Sequence, residues 1–305
     1  MSNGQPLLGA HMSIAGGYYK SVDLARAAGC DVVQLFTKNN NQWRAKQISD
    51  EEAAQFRDML TERNILHPLS HASYLINLAS PDPLLWQKSV DGMVVELQRA
   101  EQLGIPFVVV HPGASVAASE AEGIANVIRA LNEIHQRTGQ VAAVPLLENT
   151  AGQGSCLGCG FEQLAAILAE VKDPSRVGVC FDTCHAFAAG YPLGTPAEYD
   201  ATWQAFDRTV GIERIKAIHL NDSKRELGSR VDRHEHIGRG QLGVEPFRLL
   251  LNDERFRRVP MYLETAKGQH EGEEWDVINL RVLRGLVTES KVPSPKSKVA
   301  ARRKS

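Results

Sequence analysis

The sequence of 305 residues lacks the features that would place the protein in a membrane or outside the cell. No apolar run approaches the ~20 residues that a membrane-spanning helix requires. The first residues do not combine a basic start with an apolar stretch, so a secretory signal is not expected. The five cysteines are odd in number and scattered, which is typical of reduced thiols. We therefore expect a cytoplasmic protein with no membrane partner.

The sequence also lacks the common motifs of phosphate-binding loops and of nucleophilic catalysis. It contains no P-loop, no Gly-x-Ser-x-Gly motif and no cysteine–histidine signature. Cys156 and Cys159 form a Cys-x-x-Cys pair, but there is no second pair to complete a four-cysteine zinc site. Catalysis by a side-chain nucleophile is therefore disfavoured.

Charge is nearly balanced over the whole chain but uneven at its end. The net charge of −2 does not by itself indicate a nucleic-acid-binding surface. Residues 291–305 hold six basic residues and no acidic one, so removing them from the total leaves −8 for residues 1–290. Their proline, serine and lysine content predicts a disordered tail. A solubilising tail and a salt-sensitive tether to a polyanion both remain open.

Strand-like and helix-like segments alternate eight times along the chain. The predicted strands are Leu7–His11, Val32–Phe36, Leu66–His71, Phe107–His111, Val144–Glu148, Val177–Asp182, Ile215–Leu220 and Pro260–Glu264. The segments between them carry apolar residues at helical spacing, and several end at glycine, as at Gly29 and Gly104. Eight such units predict an α/β fold in which residues 1–290 form one (β/α)8 TIM barrel.

Nine histidine and acidic side chains lie where these predicted strands end or in the loops that follow. They are His71, His111, Glu148, Asp182, His185, His219, Asp232, His234 and Glu264. Imidazole and carboxylate are ligands of zinc and manganese, and nine are too many for one ion. Carboxylates at the ends of apolar strands are costly to bury without a partner charge, which a cation supplies. We therefore predict a multi-metal centre at the C-terminal face of the barrel, suited to hydrolysis of a phosphate ester.

Longer motifs resemble the endonuclease IV family of apurinic/apyrimidinic endonucleases. They are LSHASYLINL, VVVHPG, LLENTAGQGS, VGVCFDTCHAFAAGY, IHLNDSK, GSRVDRHEHIGRG and LET, between about Gly9 and Glu264. The resemblance implies a xylose-isomerase-like barrel with three zinc ions per chain, with manganese as an alternative at one site. By motif position, the three ligand sets would be His71, His111 and Glu148; Glu148, Asp182, His219 and Glu264; and His185, Asp232 and His234.

The family resemblance also implies an activity. In the family, a metal-bound hydroxide attacks the phosphate 5′ to an abasic site, leaving a 3′-hydroxyl and a 5′-deoxyribose phosphate. The same site trims blocked 3′ ends. The resemblance therefore implies a base-excision-repair enzyme that acts on double-stranded DNA, associated with the nucleoid if the source is bacterial. Nothing in the sequence demands a dimer, so we expect a monomer. Glu148, which would be shared by two ions, is the expected catalytic residue.

Contacts with DNA are implied by the same motifs. Tyr74 and Leu75 match the family's wedge positions, which fill the gap left when the abasic sugar is turned out of the duplex. Asn41 stands where well-known members carry an arginine, so we expect a weaker contact there and unchanged metal chemistry. The expected phosphate contacts are Lys38, Arg44, Ser115, Lys224, Arg230 and Arg233.

Two other functions remain open on the sequence alone. A sugar isomerase or epimerase on the related barrel would use one or two metal ions and would not need the third ligand set. A non-catalytic DNA-damage-binding protein could keep the fold. The complete ligand set argues against this second alternative, because a silent relative would have little reason to retain every carboxylate.

Overall fold

A computed structural model describes residues 5–288, and the predicted tail at 291–305 lies outside the described residues. The strands are β1 (Leu8–Met12), β2 (Val32–Phe36), β3 (Leu66–His71), β4 (Phe107–Val110), β5 (Val144–Glu148), β6 (Gly178–Asp182), β7 (Ile215–His219), β8 (Asp222–Ser223), β9 (His234–Glu235), β10 (Met261–Leu263), β11 (Gln269–His270) and β12 (Glu273–Glu274). Strands β1 to β7 and β10 form a closed parallel barrel, which β10 completes by pairing with β1 and β7. The predicted TIM barrel is confirmed, and each predicted strand end lies within one residue of the observed end.

Helices surround the barrel and follow most of its strands. They are α1 (Tyr18–Ala28), α2 (Asp50–Glu62), α3 (Pro83–Leu103), α4 (Glu120–Thr138), α5 (Phe161–Glu170), α6 (Thr183–Ala189), α7 (Pro196–Thr209), α8 (Glu245–Leu251) and α9 (Trp275–Gly285). Capping boxes begin α2, α4 and α7 at Ser49, Ser119 and Thr195. Gly29 and Gly104 end α1 and α3 in the left-handed conformation, as their positions predicted. Within residues 5–288, no helix is long and apolar enough to cross a membrane.

A small apolar cluster takes one side chain from each of seven barrel strands. Its members are Val32, Leu69, Val109, Leu146, Cys180, Ala217 and Tyr262. Side chains along a strand alternate between faces, so the residue two positions further on points the same way. Those positions hold Gln34 on β2 and, on the other strands, six of the predicted ligands. The apolar cluster therefore forms a floor, and the polar residues lie above it toward the C-terminal ends of the strands.

Close packing of two strands makes Gly9 hard to replace. In β1 it pairs with Val32 of β2, and a Cβ atom there would lie 1.9 Å from the Val32 carbonyl oxygen. We expect Gly9→Ala to lower the free energy of unfolding by about 3 kcal/mol, because rigid backbone must move apart. Chemical denaturation would measure the loss. Gly285→Ala is the control, since a Cβ at Gly285 meets nothing within 4 Å. Equal stability of the Gly9 and Gly285 variants would contradict the prediction.

Candidate metal centre

The nine predicted ligands come together at one mouth of the barrel, in three groups of which the first two share Glu148. The groups are His71, His111 and Glu148; Glu148, Asp182, His219 and Glu264; and His185, Asp232 and His234. Within each group, the potential ligand atoms lie within 4.8 Å of one another. A further group joins Cys184 to Asp182 and His234. Cys184 was not among the predicted ligands, although in the sequence it lies between two of them, Asp182 and His185.

Glu148 lies at the centre of this arrangement and is fully buried. Its Oε2 lies 3.2 Å from Nε2 of His111 and 3.3 Å from Nε2 of His71. Its Oε1 lies 3.0 Å from Nδ1 of His219 and 3.1 Å from Nδ1 of His185. One oxygen thus faces the first group, and the other faces His219 of the second group and His185 of the third. A carboxylate in this position can be shared between two cations.

The third group contains the most exposed of the nine side chains. The side chain of Asp232 is 41% exposed, whereas that of His185 is 2% exposed. The Oδ2 of Asp232 lies 3.2 Å from Nε2 of His185, and its Oδ1 lies 3.4 Å from Nε2 of His234. Asp232 and His234 belong to the long loop after β7, which folds back over the mouth. The loop therefore completes a site whose first member, His185, is on α6.

The surroundings of Glu148 and Asp232 lower the pKa of both carboxyl groups. Burial opposes ionisation of Glu148, but the charges of His219 and His111 outweigh it and hold the pKa of Glu148 well below its usual value. Burial also opposes ionisation of Asp232, but the hydrogen bond from His185 and the charges around it lower the pKa of Asp232 to about 2. Burial likewise opposes protonation of His185, yet the neighbouring carboxylates raise its pKa well above its usual value.

This balance of charges fits divalent cations. The carboxylates of Glu148 and Asp232 lie about 3 Å from the imidazoles of His185 and His219, whose pKa values they raise. A zinc or manganese ion bound by the same nitrogen and oxygen atoms would compensate the charge of these carboxylates and displace protons from the imidazoles. The donor set, imidazole with carboxylate, is the one those ions prefer.

Four of the five imidazoles have their second nitrogen occupied. The contacts are His71 Nδ1 with the Ala72 carbonyl at 2.7 Å, His185 Nδ1 with the Asn149 carbonyl at 2.9 Å, His219 Nε2 with Gln34 Oε1 at 2.7 Å, and His234 Nδ1 with the Glu264 carbonyl at 3.3 Å. A hydrogen bond of this kind fixes the orientation of the ring and leaves the other nitrogen free for a metal. The imidazoles are thus oriented by the fold itself.

Three amide side chains that the sequence did not single out hold the carboxylates, or the backbone beside them, in place. Gln34 donates from Nε2 to Oε1 of Glu264. Asn221 donates to Oδ2 of Asp182 at 2.6 Å and accepts from the backbone N–H of Glu264 at 2.9 Å. Asn149 Oδ1 accepts from the backbone N–H of Asp182 at 2.7 Å. The sequence did contain a sign of each residue. Asn149 and Asn221 follow strands that end in predicted metal ligands, and Gln34 is the one polar residue within the apolar strand β2.

The predicted wedge residues lie beside the metal centre. Tyr74 is 57% exposed, and its ring centroid lies 5.3 Å from that of His71 and 6.3 Å from that of His111. Leu75, the next residue, is partly buried. An exposed aromatic ring directly against two candidate ligands is well placed to contact a molecule entering the mouth.

Five of the expected polar DNA contacts are exposed at the same end of the barrel. They are Asn41 and Arg44 in the loop after β2, and Lys224, Arg230 and Arg233 in the loop after β7. Arg233 donates to the carbonyl of Asp232 at 2.6 Å, which places its guanidinium beside the third group. A cavity of about 520 Å³ lies between the loops after β4, β5 and β7, and its lining includes His111, Gly152 and Arg233.

Two of the expected phosphate contacts are not exposed. Lys38 is 7% exposed, with its Nζ 3.2 Å from Oε1 of Glu96 and donating to the carbonyl of Gln42 at 2.8 Å. Ser115 is 5% exposed. Neither side chain presents its polar group to solvent, so the burial argues against direct phosphate contact at these positions. Nothing in the sequence indicated that Glu96, on a distant helix, would pair with Lys38.

Comparison with known proteins gives concordant matches. Residues 22–286 match the model of a family described as a xylose isomerase-like TIM barrel. A probable endonuclease 4 of Geobacter sp. (strain M21) is 48% identical over 281 residues, covering 92% of this chain and 99% of that protein. The crystal structure of endonuclease IV from Thermus thermophilus superposes with a TM-score of 0.81 at 38% identity, covering 92% of this chain and 98% of that one.

A D-tagatose 3-epimerase-like protein has a similar structure, with a TM-score of 0.68 over 91% of this chain and 96% of that one. The two sequences are only 19% identical. This similarity shows a shared fold alone.

Proposed function

This chain belongs to the endonuclease IV family, and from that premise we propose that it is an apurinic/apyrimidinic endonuclease of DNA repair. It hydrolyses the phosphodiester bond 5′ to an abasic site in double-stranded DNA, leaving a 3′-hydroxyl and a 5′-deoxyribose phosphate. It also trims blocked 3′ ends. The observation that supports this proposal best is the position of Glu148, with one oxygen facing each of two ligand groups.

The three groups of side chains would hold three zinc ions, with manganese as an alternative at one of them. His71 and His111 would share the first with Glu148, and the group that includes Glu264 would hold the second. His185 and its two partners would hold the third. When bound, such ions neutralise the charge of a phosphate and lower the pKa of bound water to about 7.

The residues around the centre would bind and orient the DNA. Tyr74 and Leu75 enter the duplex and fill the space left by the abasic sugar, which turns toward the mouth of the barrel. Arg233 contacts a phosphate beside the third group, and Asn41 meets the duplex on the opposite side of the mouth. Basic side chains around an acidic pocket give a local field that favours DNA despite the net charge of −2.

A duplex that carries one tetrahydrofuran abasic analogue tests the activity. We expect incision on the 5′ side of the analogue and a new 3′-hydroxyl that a polymerase can extend. Binding of the duplex without strand scission would contradict the enzymatic proposal and favour a damage-binding protein. A sugar isomerase is disfavoured by the third group of ligands, since proton transfer next to a carbonyl has no use for it.

Removal of Asp232 is expected to change the metal content without unfolding the protein. Asp232 supplies the only carboxylate of the third group, and its side chain is 41% exposed. We expect Asp232→Ala to bind about one zinc ion fewer per chain, because two imidazoles alone hold the ion weakly. Elemental analysis of the purified protein measures this. Asp58→Ala, at an exposed position of α2, is the control for loss of one charge. Unchanged zinc content would contradict the assignment.

A further inference from the structure

Glu96 is a buried carboxylate outside the metal centre, on α3, and is only 1% exposed. Its Oε1 lies 3.2 Å from Nζ of Lys38 and accepts a hydrogen bond from the backbone N–H of Ser73 at 3.2 Å. Its Oε2 accepts a hydrogen bond from the hydroxyl of Thr37 at 2.7 Å. Both oxygens are therefore engaged, and by groups from two different loops.

These two loops carry residues expected to contact DNA. Thr37 and Lys38 begin the loop after β2, which continues to Asn41 and Arg44. Ser73 belongs to the loop after β3 and directly precedes Tyr74. The loops also contact each other, since the hydroxyl of Ser73 donates to the Asn40 carbonyl at 2.5 Å. The carboxylate of Glu96 therefore connects the loop that carries Tyr74 to the loop that carries Asn41 and Arg44.

Arg99 extends the connection from the same helix, three residues after Glu96. Its guanidinium donates to the carbonyl of Thr37 and to the carbonyl of Lys46, both at 2.6 Å. It also donates to the hydroxyl of Tyr18 at 2.7 Å. Residues three apart on a helix share a face. Both ends of the segment 37–46 are therefore fastened to one face of α3.

Removing one member of a buried ion pair leaves the other charge uncompensated, which is strongly destabilising locally. The Lys38–Glu96 pair therefore holds the loop after β2 to α3 more firmly than an exposed pair would, and the Ser73 N–H bond holds the loop after β3 to the same carboxylate. A binding surface that is ordered before the ligand arrives loses less conformational entropy on binding. The contacts around Glu96 order both DNA-facing loops in the free protein.

We propose that Glu96 is a positioning residue, which locks the loop after β2 to the loop after β3 so that the duplex meets a preformed surface. It touches neither the DNA nor the metal ions, and it acts through Thr37, Lys38 and Ser73. This inference rests on the proposed function, because it assigns the two loops to DNA binding. The loop contacts themselves do not depend on that assignment.

The test uses Glu96→Gln in the full-length, zinc-loaded protein. Glutamine keeps the size and one acceptor oxygen of glutamate but removes the charge that faces Lys38. We expect the KM for an abasic duplex to rise about tenfold, with kcat within about twofold and zinc content unchanged. Hydrogen exchange of the free protein should become faster in both loops, at residues 37–48 and 73–77, and stay unchanged around Glu148.

Two variants serve as comparisons. Glu101→Gln makes the same substitution on α3 at an exposed position away from the mouth, and its KM and its exchange in the two loops should match those of the wild type. Lys38→Met combined with Glu96→Gln should bind DNA no worse than Glu96→Gln alone, because the two charges act as one unit. If Glu96→Gln does not fold, Thr37→Val removes one hydrogen bond to Glu96 and allows the same comparison.

Each outcome decides for or against the positioning role. A fall in kcat with unchanged KM, or faster exchange in only one loop, would overturn it. If the wild-type protein does not incise abasic DNA, the proposed function fails, but the exchange experiment still decides whether Glu96 locks the loops. Faster exchange in both loops would then support the lock, and unchanged exchange would reject it.

Discussion

Replacing Glu148 with glutamine will lower the rate of incision at an abasic site about a thousandfold or more, a loss of about 4 kcal/mol of transition-state stabilisation at 1.36 kcal/mol per factor of ten. Glutamine has the same size, so the barrel should keep its fold. One oxygen, however, becomes an NH2 group, which donates hydrogen bonds and does not bind cations. Because the two oxygens face different ligand groups, the substitution disturbs both.

The measurement is single-turnover incision of a duplex with a tetrahydrofuran analogue, at saturating protein. Circular dichroism and zinc analysis on the same preparation separate loss of chemistry from loss of fold or metal. Glu170→Gln, an exposed position at the end of α5, makes the identical chemical change far from the centre and should retain wild-type activity. Activity of the Glu148 variant within tenfold of the wild type would show that Glu148 is not the shared ligand.

Exhaustive chelation is expected to reduce incision below detection, and zinc is expected to restore it at about three equivalents per chain. Without cations, Glu148 faces the imidazoles of His185 and His219, and an imidazole does not lower the pKa of a bound water molecule as a metal ion does. Titration of the chelated protein with zinc, followed by incision and elemental analysis of the same sample, gives the stoichiometry directly.

The metal content also separates the two enzymatic alternatives. About three zinc ions per chain, with activity appearing only when they are bound, agree with the nuclease. One manganese ion per chain and interconversion of sugars would favour an isomerase on the related barrel instead. Incision that survives complete removal of metal would contradict the metal-centred proposal as a whole.

The sequence alone determined the barrel and the end of it at which the candidate site lies. Apolar runs of four to six residues and the glycines that end α1 and α3 are local signals, and each predicted strand lies within one residue of its observed limits. Alternation along a strand then directs Leu146 and Glu148 to the same face. Since parallel strands present their C-terminal ends together, placing the six ligands at strand ends required no long-range information, whereas His185, Asp232 and His234 lie on α6 and in the loop after β7.

Only the tertiary structure decided which polar groups pair with one another. Lys38 pairs with a carboxylate 58 positions away on α3, and one of the partners of Gln34, His219, is 185 positions away on β7. Ser115 is buried by packing that its own loop does not reveal. Hydrophobic periodicity is a local property that a few neighbouring residues determine. The pairing of a buried charge depends instead on which helix packs over which loop. For that reason the burial of Lys38 and the role proposed for Glu96 became visible only in three dimensions.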